Sequence, residues 1–291
     1  MRAQTIDDAQ TEIRDSDVQE LRTSFRGRLI SPDDPQFDDA RRVWNGTIDR
    51  RPALIAQCSG AADVIAAVKF AAQHTLLVAV RGGGHSLPGH SVCDGGLMID
   101  LSMMRAVSID PVRRTVRAQG GALWGDVDHE SQAFGLATPG GMVSTTGIAG
   151  LTLGGGSQSW LIRKFGNSAD NLLSAEVVTA RGDFVTASAS EHADLFWALR
   201  GGGGNFGVVT SLEFQLHPVG PIVLAGGAFF SWERIKEVTE FYLDYVKNIP
   251  DELTTALFYW GAPPAPFLPE SIHGKNVAII GLCYAGSIEA G

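Results

Sequence analysis

Cysteine is scarce in this 291-residue chain: there are three, at positions 58, 93 and 283, odd in number and far apart. That fits reduced thiols in the cytoplasm better than a disulfide framework or a zinc site. Positive charge is also short, with 23 Lys and Arg against 32 Asp and Glu, for a formal net charge of -9. A nucleic-acid partner needs a basic stripe to meet its phosphates, and the sequence offers none. No apolar run approaches the roughly 18 residues that cross a bilayer, so no membrane partner is expected. The first residues, Met1-Arg2-Ala3-Gln4-Thr5-Ile6-Asp7-Asp8, are polar and acidic, without the apolar stretch of a signal peptide. The P-loop pattern GxxxxGK followed by Ser or Thr is missing, and so is the GxSxG elbow of esterases. His74, His129, His192, His217 and His273 are scattered without metal-ligand spacing, so no metal is expected.

Glycine is in excess, with 35 residues. The glycines follow no fixed period and gather at the ends of apolar segments, as in a ligand site built from backbone. The most informative cluster is Arg81-Gly82-Gly83-Gly84-His85-Ser86, directly after the short apolar strand Leu76 to Val80. Three glycines at a strand exit permit positive φ and close backbone approach, and they leave amides free to point at an anion. A phosphate-bearing cofactor loop is favoured over a bare glycine turn, because chain reversal alone has no need of an arginine and a histidine as well. His90 follows in the same loop, after Gly89.

A second stretch, Thr138 to Gly156, alternates small and hydroxyl residues and carries almost no charge. It reads as a long loop lying under a flat polar ligand, or as a glycine-rich loop packed on itself. Gly202 to Gly207 satisfies GxGxxG in form only. The dinucleotide fingerprint needs a strand before it and a helix after it, and here the order is inverted.

Periodicity places the elements around these loops. Residues 1 to about 27 read as a solvated arm with one short helix. A strand at Ala53 to Gln57, a helix over Val64 to Ala72 and the strand at Leu76 form a βαβ unit. A strand at Leu97 to Leu101 and a hairpin, Val107 to Asp110 with Thr115 to Ala118, come next. A helix runs from Gly121 to near Gly135. Strands at Asn171 to Ala180, Phe184 to Thr186 and Val208 to Leu216 enclose a helix at Glu191 to Leu199. Pro218-Val219-Gly220-Pro221 marks a domain boundary. Beyond it the pattern gives a helix at Glu233 to Val246 and strands at Leu253 to Trp260 and Val277 to Tyr284.

Four motifs in this order resemble the FAD-binding domain of the vanillyl-alcohol oxidase / PCMH superfamily, in its berberine-bridge-enzyme-like branch of bacterial type. They are Arg81 to Ser86, Gly140 to Gly156, Asp170 to Val178, and Asp194 to Gly207, within a match running from about 42 to 217. The resemblance implies an α+β fold: a PCMH-type FAD-binding domain of two α/β subdomains, then the start of an antiparallel-sheet substrate domain. The expected division is 1–41 (arm and first elements), 42–217 (FAD-binding) and 218–291 (incomplete substrate-binding domain). It also implies a cofactor set of Arg81, Gly82, Gly83, Gly84, His85, Ser86, Gly89, His90, Pro139, Gly140, Val143, Ser144, Thr145, Gly147, Gly150, Gly154, Gly155, Val178, Gly207 and Val209. His85 matches the histidine that the family joins to the flavin 8α-methyl group. Val143 stands where many relatives carry a second, cysteine link, so attachment through His85 alone is expected.

The resemblance further implies an oxidase that passes hydride from a C–H next to a hydroxyl or amine to covalently bound FAD, with dioxygen as the expected acceptor. The substrate class stays open among sugars, alcohols and secondary metabolites. Two rivals stand beside it: a flavin-binding fragment without turnover, and a decarboxylating or aldehyde-forming synthase on the same fold. Relatives continue well past residue 291, so the chain is expected to be C-terminally incomplete, a poor oxidase and marginally soluble. No catalytic base is assigned. If one lies within the chain, Tyr242, Tyr245, Tyr259 and Tyr284 are the candidates, and the helix face of Ile235, Val238 and Phe241 and the strand Val277 to Cys283 are expected to be exposed.

Overall fold

The computed structural model describes residues 1–157 and 159–291, and three sheets carry the architecture. The first has four strands in the order Arg28–Ile30, Leu54–Gln57, Leu97–Asp100, Val78–Arg81. Leu97–Asp100 is buried at every residue, as a strand covered on both faces must be, and it pairs in parallel with both neighbours. The two strands of the expected βαβ unit are therefore parallel members of one sheet, but Leu97–Asp100 lies between them. The crossover helix Ala61–Gln73 buries Val64, Ala67, Val68 and Ala71, one stripe at helical spacing.

The second sheet is wholly antiparallel, ordered Phe184–Ser188, Leu172–Val178, Val208–Gln215, Thr115–Gln119, Val107–Asp110. Trp124, at the start of the helix Trp124–Gln132, is fully buried against it, its ring 5.8 Å from that of Phe214. The helix Ala193–Leu199 adds Phe196 and Leu199 to the same core. The glycine run after this helix and before the strand Val208–Gln215 stands in the inverted order, helix first.

The third sheet, Leu224–Ser231, Asn276–Tyr284 and Leu253–Gly261 in spatial order, is antiparallel. One face is covered by the helix Ile235–Tyr245, whose Val238 packs on Ala278 and Ile280. Two expectations are corrected here. The strand Val277 to Cys283 is the buried central strand, with Leu224–Ser231 and Leu253–Gly261 as the edges. Val238 is buried as well, whereas Phe241 is exposed. Leu224–Ser231 escapes sequence reading because Gly226 and Gly227 dilute its strand propensity.

The N-terminal arm is also corrected. Residues 2–4 and 10–12 pair as short strands, Asp15–Ser24 is a helix, and Ala3, Ile13 and Leu21 are buried in the core beneath the first sheet. Asp63, at the start of the crossover helix, secures the following segment. Burial works to raise its pKa, but bonds from the amides of Arg26, Ser59 and Gly27 and the Ser59 hydroxyl hold the carboxyl below its usual value.

Candidate functional site

At the C-terminal edge of the parallel sheet three polar residues stand in register: Gln57 beside Asp100, and Asp100 beside Arg81. The buried Asp100 accepts two bonds from Arg81, from Nε at 2.9 Å and from Nη2 at 2.6 Å. It also accepts from Gln57 Nε2 at 3.0 Å and from the amide and hydroxyl of Ser102. The fork of Arg81 is thus spent on Asp100 and on the Arg42 carbonyl, 2.9 Å away. A ligand in the following loop would meet the Arg81 backbone, while its guanidinium holds the loop's root.

The loop itself is shaped by contact with a second loop. A Cβ on Gly83 would fall on the backbone of Gly147, and a Cβ on Gly147 would fall on that of Gly83. Main chain meets main chain, which only glycine allows. Gly84 takes φ +73°, and among the described residues the amides of Gly83, Gly84, His85 and Ser86 donate to no protein acceptor. Four successive free donors at a half-buried turn make a concavity suited to an anion. Ser86 closes the turn, taking the amides of Gly89 on its carbonyl and of exposed His90 on its hydroxyl.

His85 stands at the rim of this loop, half-buried. Burial pulls its imidazole below the usual histidine pKa, and the nearby Thr145 backbone offsets part of the shift. Its ring is stacked on Trp44, with centroids 5.2 Å apart and planes 19° apart. The segment around Trp44 straps the whole loop. The Trp44 amide donates to Gly84, Asn45 Nδ2 to the Leu87 carbonyl, and Arg50 Nη1 to the carbonyls of Gly89 and Val92. Sequence reading missed this strap and Asp100, because neither carries a glycine motif and both act across a long separation.

The second stretch is corrected in one respect: residues Ile148–Leu153 are helical, not loop. Ile148, Ala149, Thr152 and Leu153 are buried, a helical spacing visible in the sequence but masked by its glycines. Gly150 and Gly154 lie on the exposed side, and no atom lies within 4 Å of a Cβ built on Gly150, so the surface offered there is bare backbone. Val143, Ser144 and Thr145 are exposed at the rim beside His85, whereas Pro139 is buried with its carbonyl bonded to Ser168 Oγ at 2.7 Å. Gly140 lies flat on the Trp124 ring, and Gly155 takes φ +101°.

The remaining sequence-identified residues sit at the seam between the first two sheets. Val178 shares a core cluster with Leu101 and Met104, and Val209 lies in the core of the second sheet. Gly207 packs on the Val178 carbonyl, Gly120 on the Val209 carbonyl and Gly121 on the Leu101 carbonyl. The side chains of Val178 and Val209 are buried, so a ligand at the seam would meet their main chain.

The third sheet is anchored just past these loops: Lys164 Nζ donates to the Ala285 carbonyl at 3.0 Å and Arg163 Nη2 to that of Ile249 at 3.1 Å. Its helix-free face meets Trp160, whose ring would lie 3.4 Å from a Cβ on Gly281, beside Phe258. Register puts Phe229, Ile279, Phe258, Val277 and Trp260 on the same face, where Ala262, Leu268 and Ile272 cover Val277 and Ile279. The four tyrosines are not there. Tyr242 bonds Thr255 and Tyr259 bonds Thr239, both on the helix side, where register also puts Tyr284. Tyr245 stacks on Phe241 of its own helix. Among the described residues there is no cluster of metal-ligating side chains and no helix long and apolar enough to cross a membrane.

Residues 52–188 match the family described as FAD binding domain. The chain is 39% identical over 239 residues to (R)-6-hydroxynicotine oxidase of Paenarthrobacter nicotinovorans, covering 81% of this chain and 52% of that protein. It superposes on the crystal structure of 6-hydroxy-D-nicotine oxidase from Arthrobacter nicotinovorans with a TM-score of 0.82 at 34% identity, covering 92% of this chain and 57% of that one. For BBE-like 1 of Physcomitrella patens the TM-score is 0.83 at 28% identity, with 94% and 57% covered. The chain spans about half the length of the curated relatives it matches.

Proposed function

Because the chain belongs to the FAD-binding oxidoreductases of the vanillyl-alcohol oxidase / PCMH superfamily, we propose that it holds FAD covalently through His85 and serves as an oxidase with dioxygen as acceptor. The observation that carries the reading is the run of free amides from Gly83 to Ser86, ending beside an imidazole held below its usual pKa. A dinucleotide needs donors for its pyrophosphate and a surface without side chains for its rings. The 83–86 amides and the glycines at 150, 154 and 155 supply both, so the residues present fit FAD.

When bound, FAD supplies the two-electron acceptor for a substrate C–H beside a hydroxyl or amine. The protein's part is to orient. The amides of Gly83 to Ser86 take the phosphate charge, and His85 fixes the ring edge. The Trp160–Phe258 face, apolar and uncharged, supports an alcohol or amine carried on a planar apolar body over a free sugar. One relative is itself named for oxidation of a hydroxynicotine. The second reading, flavin binding without turnover, is supported by the position of the four tyrosines away from that face.

Anaerobic titration separates the two. Aromatic primary amines and alcohols should bleach the flavin absorbance of the holo-protein, and readmitted oxygen should return it with one peroxide per flavin. A panel that leaves the flavin oxidised throughout would sink the oxidase reading and leave binding alone.

Val143 tests the geometry of the rim. Its side chain is 56% exposed, so Val143→Cys should present an accessible thiol and yield flavin peptides linked at both His85 and residue 143. The native thiols are poor rivals. Cys58 is wholly buried with its thiol pKa pushed up, and burial pushes Cys93 up to about 11. A thioether found at Cys58 or Cys93 in the unmodified protein would show that the rim has been misplaced.

A further inference from the structure

We infer that Trp44 is a positioning residue for His85, setting the plane of its imidazole for attachment of the flavin; the inference rests on the reading that His85 is the attachment point. An imidazole turns about two bonds, and the second has a broad, shallow preference, so position in the chain does not fix the ring plane. Gly82 to Gly84 have no side chains, and the Thr145 backbone reaches the imidazole only at its edge, as a hydrogen-bond partner. Trp44 covers its face. Its indole lies 5.2 Å from the His85 ring, centroid to centroid, with 19° between planes, the offset-stacked arrangement that aromatic pairs favour.

The indole is itself held in place. The Trp44 amide donates to the Gly84 carbonyl at 3.0 Å, one residue before His85, and Asn45 Nδ2 donates to the Leu87 carbonyl at 2.8 Å, two residues after it. The strap therefore carries the tryptophan with the loop. Yet Trp44 remains 59% exposed. A tryptophan kept for core packing would be buried, whereas this one is stacked on one imidazole face.

Attachment replaces one imidazole N–H and one C–H of the flavin 8α-methyl group by an N–C bond. The two hydrogens leave as two protons and two electrons, which dioxygen takes up as hydrogen peroxide. The step needs the imidazole lone pair aimed at the methyl carbon, so a ring free to turn reacts more slowly in proportion to the time it is misdirected. A stacked pair of this kind biases the ring by about 2- to 10-fold.

The test uses the 291-residue protein prepared without flavin and then given saturating FAD, with acid-stable flavin followed over time. Wild type and Trp44→Phe should attach at rates within about twofold of each other, while Trp44→Leu and Trp44→Ala slow by about 2- to 10-fold. Affinity for non-covalent FAD and the thermal midpoint should not change in the leucine variant. In the flavin-free wild type, the His85 ring protons should be shifted upfield by the indole, a reading independent of any variant. Leucine attaching as fast as tryptophan, slowing that only mirrors lost FAD affinity, or unshifted His85 protons would each overturn the inference while acid-stable flavin remained. Wild-type protein with no acid-stable flavin at all would bring down the attachment reading, and this inference with it.

Discussion

Replacing His85 with alanine is expected to turn a protein whose flavin survives acid precipitation into one that surrenders all of it as free FAD. Among the described residues the change removes the one imidazole at the rim of the free-amide turn, because His90 is exposed and lies beyond the Gly89 bend. The fold should survive, since His85 is half-buried and contributes a stack, not core packing. Attachment by the unmodified protein should also depend on pH in a defined sense. Burial lowers the His85 pKa, so the neutral ring with its free lone pair persists to more acidic pH than in an exposed histidine, normally near 6.5. The initial rate of acid-stable flavin formation should reach half its plateau value below pH 6.5. A half-point at or above pH 6.5 would mean that the ring is not desolvated. Flavin that stays acid-stable in His85→Ala would place the link elsewhere.

Asp100→Ala should be severely damaging, costing about 3–5 kcal/mol through an unpaired buried cation. Asp100 is fully buried and accepts from Arg81, Gln57 and Ser102, and Arg81 is 12% exposed. Alanine leaves the guanidinium with the Arg42 carbonyl alone, at the root of the loop that carries the free amides. The denaturant midpoint should drop steeply, and FAD affinity should fall with it. Asp100→Asn, which keeps an acceptor but loses the charge, should lie between. A midpoint within experimental error of wild type for Asp100→Ala would show that Arg81 finds another partner, and the account of the loop's root would fail.

How far the sequence could be read depended on the range of the interaction. The glycine loop announced itself, because positive φ and close approach are local demands that a run of three glycines meets on its own. Leu97 to Leu101 was legible for a similar reason, since a strand buried on both faces has to be apolar throughout. Strand order was not legible. Nothing in Leu54–Gln57 or Val78–Arg81 says that Leu97–Asp100 will slide between them, and only that insertion sets Asp100 beside Arg81. The strap at Trp44 was hidden in the same way. Its bonds run to carbonyls some 40 residues on, and a carbonyl has no sequence signature. The helix Ile148–Leu153 was a different failure, because its buried spacing was present but Gly150 inside it and the glycines at both its ends lowered its propensity below notice. The N-terminal strands are three residues each, too short for any period to show.

The mutual approach of Gly83 and Gly147 has a mechanical consequence. Where cores meet through side chains, a rotamer change can absorb a small displacement, and the joint yields gradually. Where two peptide planes touch, the spacing is set by atomic radii and there is nothing to rearrange. Such a joint resembles a machined stop: it is either seated or parted, so the cleft can widen only by moving one sheet against the other as a unit. Tolerance to substitution should then be sharply uneven along this seam. The exposed rim residues 142–145 can drift in sequence and retune what the flavin meets, while positions 83 and 147 admit no side chain at all.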